Sequence, residues 1–179
     1  METRSYVALL RGVNVAGRTV ASNTLRLAVQ ALGHQDVTTY IQSGNVVFRT
    51  PRDDLERLAD EIRLAVADVA GHRVTVILRT AQQLAAVVGS NPFAEACQAR
   101  ALYVTFLEEP PDRDRVQAIS PGTALPDEFR PAGQEIFVHC PKGYGRSVLT
   151  NDFFERRLGV SATTRNWRTV TTLARMSAA

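Results

Sequence analysis

Short β-rich runs alternating with segments of helical spacing set the narrowest bounds on how this 179-residue chain folds. Tyr6-Val7-Ala8-Leu9-Leu10 is apolar and bounded by charge and glycine, which predicts a buried strand over residues 5–10. Ser22 or Asn23 can cap a helix with Leu25, Ala28, Val29 and Leu32 on one face, and Gly33 ends it. Residues 37–42 and 45–49 are β-rich; Ser43-Gly44 between them predicts a tight hairpin, with Gly44 supplying a positive φ. Pro51 and Asp53 open the strongest helical pattern, in which Leu55, Leu58, Ala59, Ile62, Ala65, Val66 and Val69 recur three and four apart before Gly71. Val74–Leu78 is another buried strand. The order is β-α-β-β-α-β, the ferredoxin-like arrangement.

The second part of the chain restarts the pattern. Thr80 to Val88 predicts a short helix, and Asn91-Pro92-Phe93 a turn or linker. A strand over 101–107 follows, then a short helix from Pro110, Pro111 and Asp112 through Ile119. Strands are expected near Asp127-Glu128-Phe129 and over 135–139, and a helix from Ser147 to Leu158. A last helix, about Arg165 to Met176, carries Trp167, Val170, Leu173 and Met176 inward, capped by Thr163 or Thr164. The second part therefore reads β-α-β-β-α. The expectation is an α+β protein of two ferredoxin-like halves with mostly antiparallel sheets: residues 1–79, a connector over 80–98, and 99–179 with its C-terminal helix.

At 45% apolar and 22% charged residues, the composition is that of an ordinary soluble globular protein. No apolar stretch approaches a membrane span or the core of a secretory signal, so a cytoplasmic protein with no membrane partner is expected. Cys97 and Cys140 lie far apart, with no Cys or His at ligand spacing, and read as reduced thiols. Lys142 is the only lysine among 21 basic residues. The arginines are spread along the chain beside acids, as in Asp112-Arg113-Asp114-Arg115, and form no basic stripe.

Two polar segments end apolar runs: Arg11-Gly12-Val13-Asn14-Val15-Ala16-Gly17 and Gln42-Ser43-Gly44-Asn45. In a β-α-β-β-α-β unit the first two strands run the same way and the hairpin follows the second. Both segments therefore fall at one end of the same sheet. Arg11 offers a bidentate guanidinium for phosphate or carboxylate. Asn14, Ser43 and Asn45 add donors and acceptors, and Gly17 and Gly44 add accessible backbone. Tyr40 can line the place. The plainer alternative is that these are turn formers, with Arg11 paired to a carboxylate and Asn45 tying the hairpin to the neighbouring loop. A third cluster, Thr163-Thr164-Arg165-Asn166-Trp167-Arg168-Thr169, either caps an amphipathic helix or brings Arg165, Asn166 and Trp167 to the first two segments.

Other chemistries lack their residues. There is no P-loop, no three-glycine dinucleotide fingerprint and no nucleophile elbow. His34, His72 and His139 are scattered; His34 and His72 follow helix-ending glycines and read as exposed loop residues, and no metal site or cofactor is expected. Ser43 has no His near it in sequence to act as base. The acid pairs Asp53-Asp54 and Glu108-Glu109 read as caps.

Leu9 through Gly17, Thr39 through Phe48, Asn91-Pro92-Phe93 and Thr164 through Thr169 resemble, in that order, the hallmark segments of the domain of unknown function 1697 family. The resemblance runs from about Tyr6 to Leu173. It implies a mainly bacterial family whose fold is similar to two ferredoxin-like halves, and it implies no activity. Where the family carries a Ser-Lys-Leu-like start to the late helix, this chain has Ser147-Val148-Leu149; before the first helix it has Gly17-Arg18.

Three functional classes follow. The leading expectation is a small phosphate- or carboxylate-bearing ligand held by Arg11, Asn14, Gly17, Tyr40, Ser43, Gly44, Asn45, Arg165, Asn166 and Trp167. The second is an RNA-binding module, with Tyr6 and Phe48 on the first and third strands as stacking aromatics. The third is an interaction protein that pairs an edge strand across a homodimer.

Overall fold

The computed structural model describes residues 3–14, 19–41, 44–94, 98–120 and 124–179. The chain divides into two compact units, Met1–Ala85 with Leu173–Ala179, and Ala86–Thr172. In the first unit the order is β1 (Arg4–Arg11), α1 (Ser22–Gln30), β2 (Gln35–Thr39), β3 (Asn45–Thr50), α2 (Leu55–Ala70) and β4 (Thr75–Thr80). The sheet order is β2-β3-β1-β4, antiparallel throughout. That order follows from the chain path: the α1 crossover leaves a gap beside β1, and β3 returns into it.

Alternation along β1 sorts the core. Tyr6, Ala8 and Leu10 face Leu25 and Val29 of α1 and Leu58, Ile62 and Val66 of α2 in one apolar cluster. Val7 and Leu9 occupy the opposite face and are also buried. α2 begins on the Asp54 carboxylate, which accepts from the Arg57 amide at 3.1 Å, and ends on Gly71 at φ 73°. Asp53 does not open the helix; it pairs with Arg4 at the surface.

The second unit repeats this path. β5 (Leu102–Leu107), α4 (Arg113–Gln117), β6 (Glu128–Ala132), β7 (Glu135–His139), α5 (Asn151–Leu158) and β8 (Ala162–Asn166) give the antiparallel order β6-β7-β5-β8. α3 (Ala81–Gly89) and α6 (Trp167–Ala178) follow β4 and β8. Both expected halves are thus α+β with four-stranded antiparallel sheets. No described helix is long and apolar enough to cross a membrane.

Several expectations change. The first helix is capped by neither Ser22 nor Asn23: its N-cap is Ala21, without a side-chain bond, and Asn23 Oδ1 accepts from Arg26 instead. The hairpin is not a two-residue turn, because β2 stops at Thr39 and β3 starts at Asn45. Helix α5 starts at Asn151 rather than Ser147, since Thr150 Oγ1 accepts from the Phe153 amide and fixes the cap there. The segment 162–166 is a strand, so Thr163 and Thr164 cap nothing; Asn166 Oδ1 accepts from the Thr169 amide at 2.8 Å and opens α6. His34 is not an exposed loop residue but buried, its ring 4.6 Å from that of Phe48.

Candidate functional site at the loop end of the first sheet

The end of β1 and the β2–β3 connection are neighbours. Leu9 stands opposite Asn45, and the Leu10 amide donates to the Gly44 carbonyl at 2.8 Å. Cross-strand partners share a face, so Arg11, two residues beyond Leu9, lies on the Asn45 face, away from α1 and α2. β4 runs antiparallel to β1 and brings Thr75 opposite Arg11. The α2–β4 turn, Gly71 to Val74, therefore reaches the same end.

Gly44 is what lets these loops close. Its φ is +81°, and a Cβ there would lie 2.9 Å from Leu10 Cβ and 3.3 Å from Val13 Cγ2. Asn45 is fully buried. Its Nδ2 donates to the Tyr40 carbonyl at 3.0 Å, and its own carbonyl accepts from the Tyr40 amide at 3.0 Å. Asn45 thus bonds to Tyr40 within its own hairpin. Between them Ile41 sits at φ +49° with its side chain half in solvent. A β-branched residue there is a backbone outlier, and such strain persists only where surrounding bonds enforce it.

Asn14 does the same for the other loop. Its Oδ1 accepts from the Val20 amide at 2.9 Å, joining the segment after β1 to the start of α1. Both asparagines therefore use side-chain atoms on backbone, and the half-buried residue Arg11 brings a charged side chain to this end of β1. Gly17 and Ser43 lie outside the described residues.

The three C-terminal candidates belong to the second unit. Arg165 stands on β8 opposite Val104, and its Nη1 donates to Thr163 Oγ1 at 2.8 Å and to the Thr164 carbonyl at 2.9 Å. Burial lowers its pKa to about 10. Asn166 caps α6, and the half-buried Trp167 ring lies 6.5 Å from that of Phe137. Asn91 turns the chain by accepting from the Phe93 amide, and Phe93 packs on His139 under the Arg130 guanidinium.

His72, expected as an exposed loop residue, is half-buried. Its ring contacts two carbonyl oxygens, those of Ala70 and Gly12. The same topology that joined Arg11 to the hairpin would have found it, because a strand antiparallel to β1 must begin where β1 ends. Cys140 is buried, its thiol pushed up to about 11 chiefly by that burial, which makes it a poor nucleophile. Among the described residues no group of three or more His, Cys, Asp or Glu side chains could hold a metal ion.

No curated protein matches the chain. Its fold is similar to that of the conserved bacterial protein SP0830 from Streptococcus pneumoniae, at a TM-score of 0.77 and 21% identity, covering 99% of this chain and 100% of that one. Residues 3–137 match the model of a family described as a protein of unknown function (DUF1697), and the chain belongs to that family.

Proposed function

We propose that the loop end of the first sheet binds a small anion carrying a phosphate or carboxylate group, on a ferredoxin-like scaffold. The observation that carries this reading is the Leu10–Gly44 main-chain bond, which holds the hairpin against the strand that bears Arg11. Pairing fixes the backbone of Arg11 on the strand, and its guanidinium matches an oxyanion with two parallel N–H groups. Asn14 accepts from Val20 and Asn45 donates to Tyr40, whose neighbour Ile41 is exposed. The residues required lie in the first unit; Arg165 and Asn166 have structural bonds of their own, and no residue is assigned a catalytic role.

The RNA-binding reading gains no support. Tyr6 and Phe48, the aromatics it needs on an open face, are 1% and 0% exposed and stack on each other at 5.7 Å inside the core. A thermal-shift screen of phosphate- and carboxylate-bearing metabolites, run on the wild type and on Arg11→Ala, tests the anion site. A charged hydrogen bond is worth ~1.5–3 kcal/mol, so the variant is expected to bind about tenfold more weakly or worse. If no compound stabilises the wild type more than the variant, the reading is wrong.

A further inference from the structure

His72 follows Gly71, the left-handed residue that closes α2, and stands just before β4. Its Nδ1 lies 3.0 Å from the Ala70 carbonyl oxygen, and its Nε2 contacts the carbonyl oxygen of Gly12, the residue after Arg11. The ring therefore bridges the end of α2 and the end of β1. Both of its nitrogens meet acceptors. A neutral imidazole has one N–H and donates to one of them, leaving a lone pair turned toward the other oxygen. The imidazolium has two N–H groups and donates to both.

Building on the anion site proposed above, we infer that His72 is the positioning residue of the Arg11–Asn14 loop, and that its second proton couples anion binding there to pH. Two effects share one sign. The doubly protonated ring fixes the Gly12 carbonyl, and so the backbone that follows Arg11. It also adds positive charge beside the anion. The charged side chains nearest in sequence on the elements His72 joins are Arg11 on β1, Asp68 on α2 and Arg73 in the turn. A bound anion adds negative charge on the side of the ring that faces the Gly12 carbonyl. Proton and anion therefore bind more tightly together than apart, and linkage makes the effect reciprocal.

Sulfate is the probe, because its charge stays constant over the range in which histidine titrates. Its affinity is measured by calorimetry at about pH 5.5 and about pH 8 on wild type, Arg11→Ala and His72→Gln. The glutamine amide donates without changing charge, so its pH profile separates the proton from the contact. In the wild type, affinity at the lower pH is expected to exceed that at the higher by about fivefold or more, the lower range of coupling between sites. His72→Gln is expected to show no such rise. Equal pH dependence in wild type and His72→Gln, with binding that still requires Arg11, overturns the role of His72 alone. Sulfate binding that is absent, or indifferent to Arg11, overturns the site and this inference together. Nitrogen-15 spectra of the wild-type imidazole give a readout that no variant can blur. Both ring nitrogens should carry protons in the sulfate complex at the lower pH, and a singly protonated ring there contradicts the inference.

Discussion

Single residues decide whether the loops at the end of the first sheet can meet. Gly44 is the clearest. Any side chain there must accept a φ of +81° and a contact at 2.9 Å with Leu10 Cβ, an atom that cannot swing away. Gly44→Ala is expected to destabilise the protein by ~1–3 kcal/mol in urea unfolding, the cost of a backbone strain of this kind. An unchanged midpoint would mean that the hairpin does not need this approach. The glycine itself was legible as a turn former; that it packs against Leu10, 34 positions earlier, was not, because the contact is made by folding. His34 teaches the same lesson with a sign attached. The sequence shows a histidine after a helix-ending glycine, but not that the Phe48 ring from β3 closes over it. Burial first, and then the Arg52 guanidinium, lower its pKa, while Glu61 works in the opposite direction. The folded state thus favours the neutral ring more than the unfolded chain does, and the unfolded chain takes up a proton near 6.5. Its contribution to stability is complete above about pH 6.5 and is lost as the pH falls below that. His34→Phe should flatten the loss on acidification in a series of thermal unfolding curves. A variant whose stability falls with acid as steeply as that of the wild type would show that His34 is not the sensitive group.

Helices and strands follow the apolar pattern where it is strong and depart from it where capping or pairing decides. The period of Leu55, Leu58, Ile62 and Val66 placed α2 within a residue or two, and Gly71 placed its end. The starts were harder, since several capping residues often stand in a row and only one reaches the right amide. In Ser147-Val148-Leu149-Thr150 the outer serine accepts from Leu149 and the inner threonine opens the helix. Thr150→Ala is expected to cost ~1 kcal/mol, and Ser147→Ala less, in paired denaturation curves. The reverse ranking would move the start of α5 back to the serine. β8 was invisible for a different reason. Ala162-Thr163-Thr164-Arg165-Asn166 has no apolar run, and its strand character comes from pairing with β5 along its length. Thr105 and Thr164 join hydroxyls at 2.8 Å across that pair, and Thr164 donates onward to Asn151 at 2.7 Å, so polar side chains are satisfied inside the structure. Single-sequence periodicity has no signal for a strand stabilised in this way.

At the scale of the whole molecule, chain order carried most of what could be known. A β-α-β-β-α-β path admits few antiparallel sheets, and the observed orders, β2-β3-β1-β4 and β6-β7-β5-β8, are the same solution written twice. That path also puts Arg11 and the hairpin at one end of the sheet. It left open which strands are edges. These are β2 and β4 in one sheet and β6 and β8 in the other; β2 carries an irregular register near Asp36, and β6 contains Pro131. Both features oppose strand addition and weigh against the pairing of β2 or β6 between two copies. The anion site is the part of this account that reaches furthest. The most direct test is a sulfate titration of nitrogen-15-labelled protein followed amide by amide. The expected result is saturable shifts concentrated at Leu10–Asn14 and Tyr40–Asn45 and abolished by Arg11→Ala; shifts centred elsewhere, or none, would contradict it.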